Sequence, residues 1–119
     1  MARDAPVIEA YGGGGFRLSG GRHEGSVLIL GDEPRNWPVG ALSDLTMADF
    51  EPVLAAGASE VEFVLLGVGA RNALPPRGVR EGLQAAGIGL EFMDTPSAAR
   101  LYNLLTSEGR RLAAALIAV

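Results

Sequence analysis

Cysteine is absent from this chain, and so is lysine; histidine and tryptophan each occur once. Without cysteine there is no thiol nucleophile, no disulfide and no thiolate ligand for an iron–sulfur cluster. Without lysine there is no Schiff-base amine and no phosphate-gripping lysine of a P-loop. All 10 basic residues are arginines, a usage that a genome rich in G and C would encode. The lone imidazole, His23, has no second histidine with which to share a zinc ion, and His23-Glu24-Gly25 lacks the HExxH spacing. It is read as a surface or hairpin residue. Long hydrophobic runs are missing too. The longest, Leu112–Val119, falls far short of the roughly 20 residues that a membrane-spanning helix needs. The opening MARDAPVIEAYGGGG shows no charged-then-apolar segment, so no signal peptide is expected. A cationic surplus is also lacking: 14 acids outnumber the 10 bases, for a net charge of −4, which does not suit a nucleic-acid binder. These absences lead to the expectation of a cytoplasmic protein with no nucleic-acid partner, no membrane insertion, no cofactor and no metal site.

What is present suits a globular protein. The chain has 119 residues, 48% of them hydrophobic, which predicts one domain over residues 1–119. On folding it would bury roughly two-thirds of its unfolded surface. Pro6–Tyr11 is a short β-leaning run stopped by Gly12–Gly15, whose four glycines predict a mobile hairpin tip. Phe16–Leu18 reads as the return strand, and Gly20-Gly21 as another turn. His23-Glu24-Gly25 would then open a strand over Ser26–Leu30, continuously apolar and so suited to a central position. Gly31-Asp32-Glu33-Pro34 is turn chemistry.

The single tryptophan, Trp37, is read as an apolar anchor in preference to an interface hot spot. Leu42 and Leu45 lead into Thr46-Met47-Ala48-Asp49, which resembles a capping box. Phe50, Val53 and Leu54 follow on one helical face. Pro52 either kinks this helix or keeps it short, and Gly57 ends it. Val61–Leu66 is the clearest strand. The Gly67–Arg71 loop after it begins like a dinucleotide-binding fingerprint, but Asn72 stands where the third glycine belongs. Arg77–Ala86 predicts a short helix with Val79, Leu83 and Ala86 inward, although Gly78 and Gly82 each cost it about 1 kcal/mol. Gly87 is its natural cap.

The last third is densely patterned. Ile88, Leu90 and Phe92 alternate with Gly89, Glu91 and Met93 as a strand. Asp94-Thr95-Pro96 starts a helix, with Thr95 read as the N-cap and Pro96 at the first position. Ala98, Leu101, Tyr102 and Leu105 form its buried stripe; Arg100, Asn103 and Ser107 fall on the other side, and Gly109 ends it. Leu112–Val119 is read as a buried final strand. No catalytic residue is assigned. Ser107 lacks the glycines of a nucleophile elbow, and Glu91 and Asp94, though close in sequence, are not brought to a defined separation.

Several of these stretches together resemble one family. Gly87-Ile88-Gly89-Leu90-Glu91, Ala99-Arg100-Leu101-Tyr102-Asn103 and Ser107-Glu108-Gly109-Arg110-Arg111 look like the C-terminal signature of the Mth938-like domain family, domain of unknown function DUF498. Trp37-Pro38-Val39 matches its WP element, and Val64–Gly69 with Arg71 matches its strand, GTG turn and nearby basic residue. The resemblance runs from about Val27 onward. Val68 stands where relatives commonly carry threonine, removing a hydroxyl from that loop, and Leu101 also replaces a common threonine.

The resemblance implies a three-layer α/β domain with a mixed β-sheet, packed helices and an N-terminal β-hairpin region. It implies no established enzymatic activity. Through a eukaryotic member that assists assembly of respiratory complex I, it implies a non-catalytic interaction or assembly factor with an unidentified protein partner. The expected interaction surface is Arg100, Asn103 and Ser107 with Glu108, Arg110 and Arg111. The alternative is a domain that binds a small molecule or anion, as a binding module or as an enzyme. Its site would lie where parallel strands end, at Gly67, Gly69, Arg71, Thr95 and Arg100. There Thr95 already satisfies part of the helix end and Asp94 opposes an anion.

Overall fold

The computed structural model describes residues 5–119. Residues 1–4, where the segment lacking a signal-peptide pattern begins, lie outside the described residues. Three antiparallel strands come first: β1 (Ile8–Gly12), β2 (Gly15–Leu18) and β3 (Gly21–Glu24). Gly13 and Gly14 form the two-residue turn between β1 and β2 with φ of 62° and 80°, the left-handed pair that such hairpins require. The tip is not loose. The Gly14 amide donates to the Val119 carbonyl at 2.8 Å, and the Gly14 carbonyl accepts from Gly25 at 2.8 Å. His23 and Glu24 do not open the next strand, as their position before Ser26 suggested. They complete β3, pairing with Phe16 and Gly15, and Gly25 at φ 78° turns the chain out of it.

The second sheet has five strands in the order β5-β4-β8-β6-β7. They are β4 (Val27–Leu30), β5 (Glu33–Asn36), β6 (Phe63–Gly67), β7 (Gly89–Met93) and β8 (Leu112–Leu116). β4 is antiparallel to β5 and β8, whereas β6 is parallel to both β7 and β8. The sheet is mixed, as expected, and the final apolar run is its central strand. Gly31 and Asp32, at φ 61° and 65°, make the β4–β5 turn. Glu33 and Pro34 therefore belong to a strand and not to the turn. Pro34 is tolerated because β5 is an edge.

Side chains leave this sheet alternately on two faces. Leu28, Val64, Leu66, Ala113 and Ala115 meet Trp37, Phe50, Val53, Val79 and Leu83 on one face. Val27, Ile29, Phe63, Leu65, Ala114 and Leu116 meet Ile8, Phe16, Ala98 and Tyr102 on the other. Helices α1 (Glu51–Ala56) and α2 (Arg77–Ala85) thus cover one side, and α3 (Thr95–Ser107) with the three-stranded sheet covers the other. The result is the expected three-layer arrangement.

Trp37 is the anchor its sequence context suggested. It is buried, its Nε1 donates to the Asp49 carbonyl at 2.9 Å, and its ring lies 5.7 Å from that of Phe50. The Thr46 amide donates to the Asp49 carboxylate at 2.9 Å, starting a 3₁₀ turn over Met47–Phe50 that runs into α1. Pro52 then falls in the first turn of α1, where a missing N–H does no harm. Two expected inward residues are outward: Leu54 is exposed, and Ala86, the C-cap of α2, is exposed too. Both lie at or near the end of a short helix, where few neighbours remain to cover them.

Candidate functional site

β6, β7 and β8 are parallel, so their carboxyl ends share one rim, at Gly67, Met93 and Leu116. The rim brings the Gly67–Arg71 loop to the start of α3. Gly67 is buried, and a Cβ there would lie 2.9 Å from Thr95 Oγ1 and 3.0 Å from a Leu116 methyl. Thr95 is not the N-cap. Asp94 is: its Oδ1 accepts from the Ser97 amide at 2.8 Å and its Oδ2 from the Ser97 hydroxyl at 3.1 Å. Thr95 is the buried first residue of the helix. Its hydroxyl donates to the Ile117 carbonyl at 2.7 Å and accepts from the Gly69 amide at 3.0 Å. Its own amide donates to the Gly69 carbonyl at 2.8 Å. A hydroxyl engaged with the loop after β6 and with the residue that follows β8 cannot also reach back to cap its helix.

Loop, helix and central strand are therefore joined by hydrogen bonds at this point. Val68 points into the core among the α1–α2 layer, which gives a packing reason for an apolar residue there. The Asp94 carboxyl is held below its ordinary value, chiefly by the Ser97 amide and then the Ser97 hydroxyl, with the Arg100 charge a lesser contribution; desolvation opposes them. Arg71 is exposed. Arg100 is exposed as well; its guanidinium reaches the Tyr11 hydroxyl at 3.3 Å and the Ser97 hydroxyl at 3.4 Å.

The polar side of α3 divides. Asn103 turns inward and binds the main chain of β1: Ile8 N–H donates to Asn103 Oδ1 at 2.9 Å, and Asn103 Nδ2 donates to the Ile8 carbonyl at 2.9 Å. Ser107 donates to the Leu104 carbonyl at 2.7 Å, within its own helix, and Glu108 is an exposed C-cap. Arg110 pairs with Glu62 at 3.4 Å and lies over the Phe63 ring, 5.3 Å from its centroid. Arg111 donates to the Ser59 carbonyl at 3.0 Å.

A groove that the sequence reading did not single out runs between α3 and β7. It has a volume of about 410 Å³ and is lined by Phe63, Gly89, Leu90, Leu101, Leu105 and Arg110, with Glu62 and Glu91 also on its walls. Leu101 and Leu105, expected in the buried stripe, are only half-buried, and Leu104 beside them is 56% exposed. The signal was available: three leucines at i, i+3, i+4 add a face beyond the stripe that Ala98, Ala99 and Tyr102 already fill. Among the described residues no three His, Asp or Glu side chains come together as metal ligands. None of the described helices is long and apolar enough to cross a membrane.

Comparison with known proteins adds relatives. An uncharacterized protein of Rhodobacter capsulatus is 42% identical over 110 residues, covering 92% of this chain and 82% of its own. NADH dehydrogenase (ubiquinone) 1 alpha subcomplex assembly factor 3 of Danio rerio is 35% identical, over 93% of this chain. The match spans 63% of that assembly factor, so this chain corresponds to less than two thirds of it. The crystal structure of a Bartonella henselae protein described as an outer membrane protein superposes with a TM-score of 0.88 at 33% identity, covering 97% of this chain and 96% of its own. The family described as a protein of unknown function (DUF498/DUF598) matches residues 8–117. With its sequence match spanning both sheets and all three helices, this chain belongs to the DUF498, Mth938-like domain family.

Proposed function

We propose that this chain acts as a single, non-catalytic Mth938-like domain that binds a protein partner and serves assembly of a membrane-bound complex from the cytoplasmic side. One contrast carries the reading. The polar groups at the sheet rim are spent on one another, Thr95 on Gly69 and Ile117 and Asp94 on Ser97, while α3 leaves Leu101, Leu104 and Leu105 partly or largely uncovered. Apolar surface flanked by charge suits protein recognition better than chemistry. The assembly role follows the name of the Danio rerio relative, and fold membership alone does not fix it. Affinity capture of tagged chain from detergent-solubilised membranes tests it. Subunits of a respiratory or translocation complex are expected among the captured proteins; capture of soluble proteins alone would count against the reading.

A second reading has one observation in its favour. Arg71 is exposed at the end of the Gly67–Arg71 loop, at a rim of parallel strands where open α/β sheets take ligands. A small anion held by Arg71 and Arg100 would produce saturable NMR shifts, under titration with phosphate or nucleotides, confined to residues 67–71 and 95–100.

A further inference from the structure

The two edges of the five-stranded sheet are unlike. β5 ends it with Glu33-Pro34-Arg35-Asn36, all exposed, and a proline with charged neighbours is how a protein blunts an edge. β7, at the other end, reads Gly89-Leu90-Glu91-Phe92-Met93 with no proline. Its hydrogen bonds to β6 use the odd-numbered residues: Gly89 N–H donates to the Glu62 carbonyl at 3.1 Å, and the Met93 carbonyl accepts from Val68 at 2.9 Å. In a parallel ladder both main-chain groups of a residue point the same way. The N–H and C=O of Leu90 and Phe92 therefore face the open edge.

The groove lies on the α3 face of this edge. Gly89 and Glu91 stand opposite Phe63 and Leu65 in the register and so point toward α3. Gly89 brings the β7 main chain close to Phe63, where a Cβ would sit 3.0 Å from the Phe63 Cβ, and it lines the groove without a side chain of its own. Arg110, paired with Glu62 and lying over the Phe63 ring, also lines the groove. Glu91 is exposed, and its carboxylate makes no ion pair or hydrogen bond with the described residues.

Resting on the protein-binding reading above, we infer that β7 and this groove form a strand-addition site for an extended segment of a partner protein, with an apolar side chain opposite Gly89 and a basic one opposite Glu91. Main-chain bonds to Leu90 and Phe92 supply affinity, and the side chains on the α3 face supply selection. A basic residue directly across from Glu91 makes a favourable cross-strand pair. A second copy fits worse. The antiparallel register that pairs all five residues of β7 with themselves sets Glu91 against Glu91, a repulsive pair.

Selection from a random peptide display library on the immobilised full chain, followed by titration of the tightest binders into nitrogen-15-labelled chain, tests this. The selected peptides should alternate apolar with other residues and carry a central Lys or Arg. Leu90 and Phe92 amides should gain exchange protection, with shifts at Leu101 and Leu105. Glu91→Lys should weaken binding by roughly tenfold, the sum of one pair lost and one repulsion gained, with an unchanged melting temperature. Peptides that bind elsewhere, an acidic consensus, no enrichment, or unchanged exchange at Leu90 and Phe92 would each overturn the proposal. So would concentration-dependent dimers that protect these amides without peptide. Membrane capture that persists in Glu91→Lys would remove this site and leave the assembly reading standing; membrane capture that fails in the unaltered chain would remove that reading.

Discussion

Asn103 and Ile8, 95 residues apart, exchange two hydrogen bonds of 2.9 Å, so that a side-chain amide on α3 pairs with the main chain of β1 as a neighbouring strand would. This contact fastens the three-stranded sheet to the helix. Asn103→Ala would leave the Ile8 N–H and C=O without partners, at about 1–3 kcal/mol of stability. Urea unfolding should show a lower midpoint, and amide exchange should quicken first in β1. An unchanged midpoint would return Asn103 to the pool of surface contacts.

Thr95 is the corresponding fastener at the rim. Thr95→Val preserves shape but removes the donor to Ile117 and the acceptor for Gly69. With a buried carbonyl left unpaired, a loss of about 1–3 kcal/mol is expected, and Thr95→Ser should restore most of it. Thermal melts of the two variants make the comparison.

Gly82 tests packing against propensity. Alanine there would favour α2 by up to about 1 kcal/mol, but its Cβ would lie 2.5 Å from Met47 Cγ and 2.6 Å from its sulfur. Gly82→Ala is predicted to destabilise the chain alone and to stabilise it in a Met47→Ala background. A double-mutant cycle measures the coupling; additive effects would contradict it.

The Asp94 cap sets a pH dependence. Its folded pKa is lowered from the ordinary 3.8, so the unfolded chain takes up this proton first as pH falls. The stabilisation is complete above about pH 4 and is lost as pH drops through the lowered folded value. Asp94→Asn keeps an acceptor for Ser97 but cannot titrate. Its stability should lose less than that of the unaltered chain between neutral pH and acid, as read by denaturant midpoints across that range.

Local patterning was enough for β1, β2, β4, β6, β7 and β8, for α2 and α3, and for the burial of Trp37, because each is written into neighbouring residues. It was not enough for β3 and β5, whose glycine, charged and proline residues read as turn chemistry. The other failures have a common cause. Asp94 and Thr95 are both good caps by type, and the choice fell to Gly69 and Ile117, 26 and 22 residues away. Asn103 looked like surface because its partner is at the other end of the chain. Gly82 looked like a weak point in a helix, and only Met47, from a different element, explains it. The groove escaped notice for the opposite reason: Leu101 and Leu105 fit a buried stripe, and nothing local says that β7 ends the sheet.

The most direct test of the account is a membrane capture run in parallel with unaltered chain, with Glu91→Lys and Leu104→Glu, and with Arg71→Ala and Arg100→Ala. Glu91, Leu104, Arg71 and Arg100 are all exposed, so melting temperatures should stay together. Partner recovery is predicted to fall for the first two variants and to hold for the last two. Recovery that instead depends on Arg71 and Arg100, and ignores Glu91 and Leu104, would contradict the account.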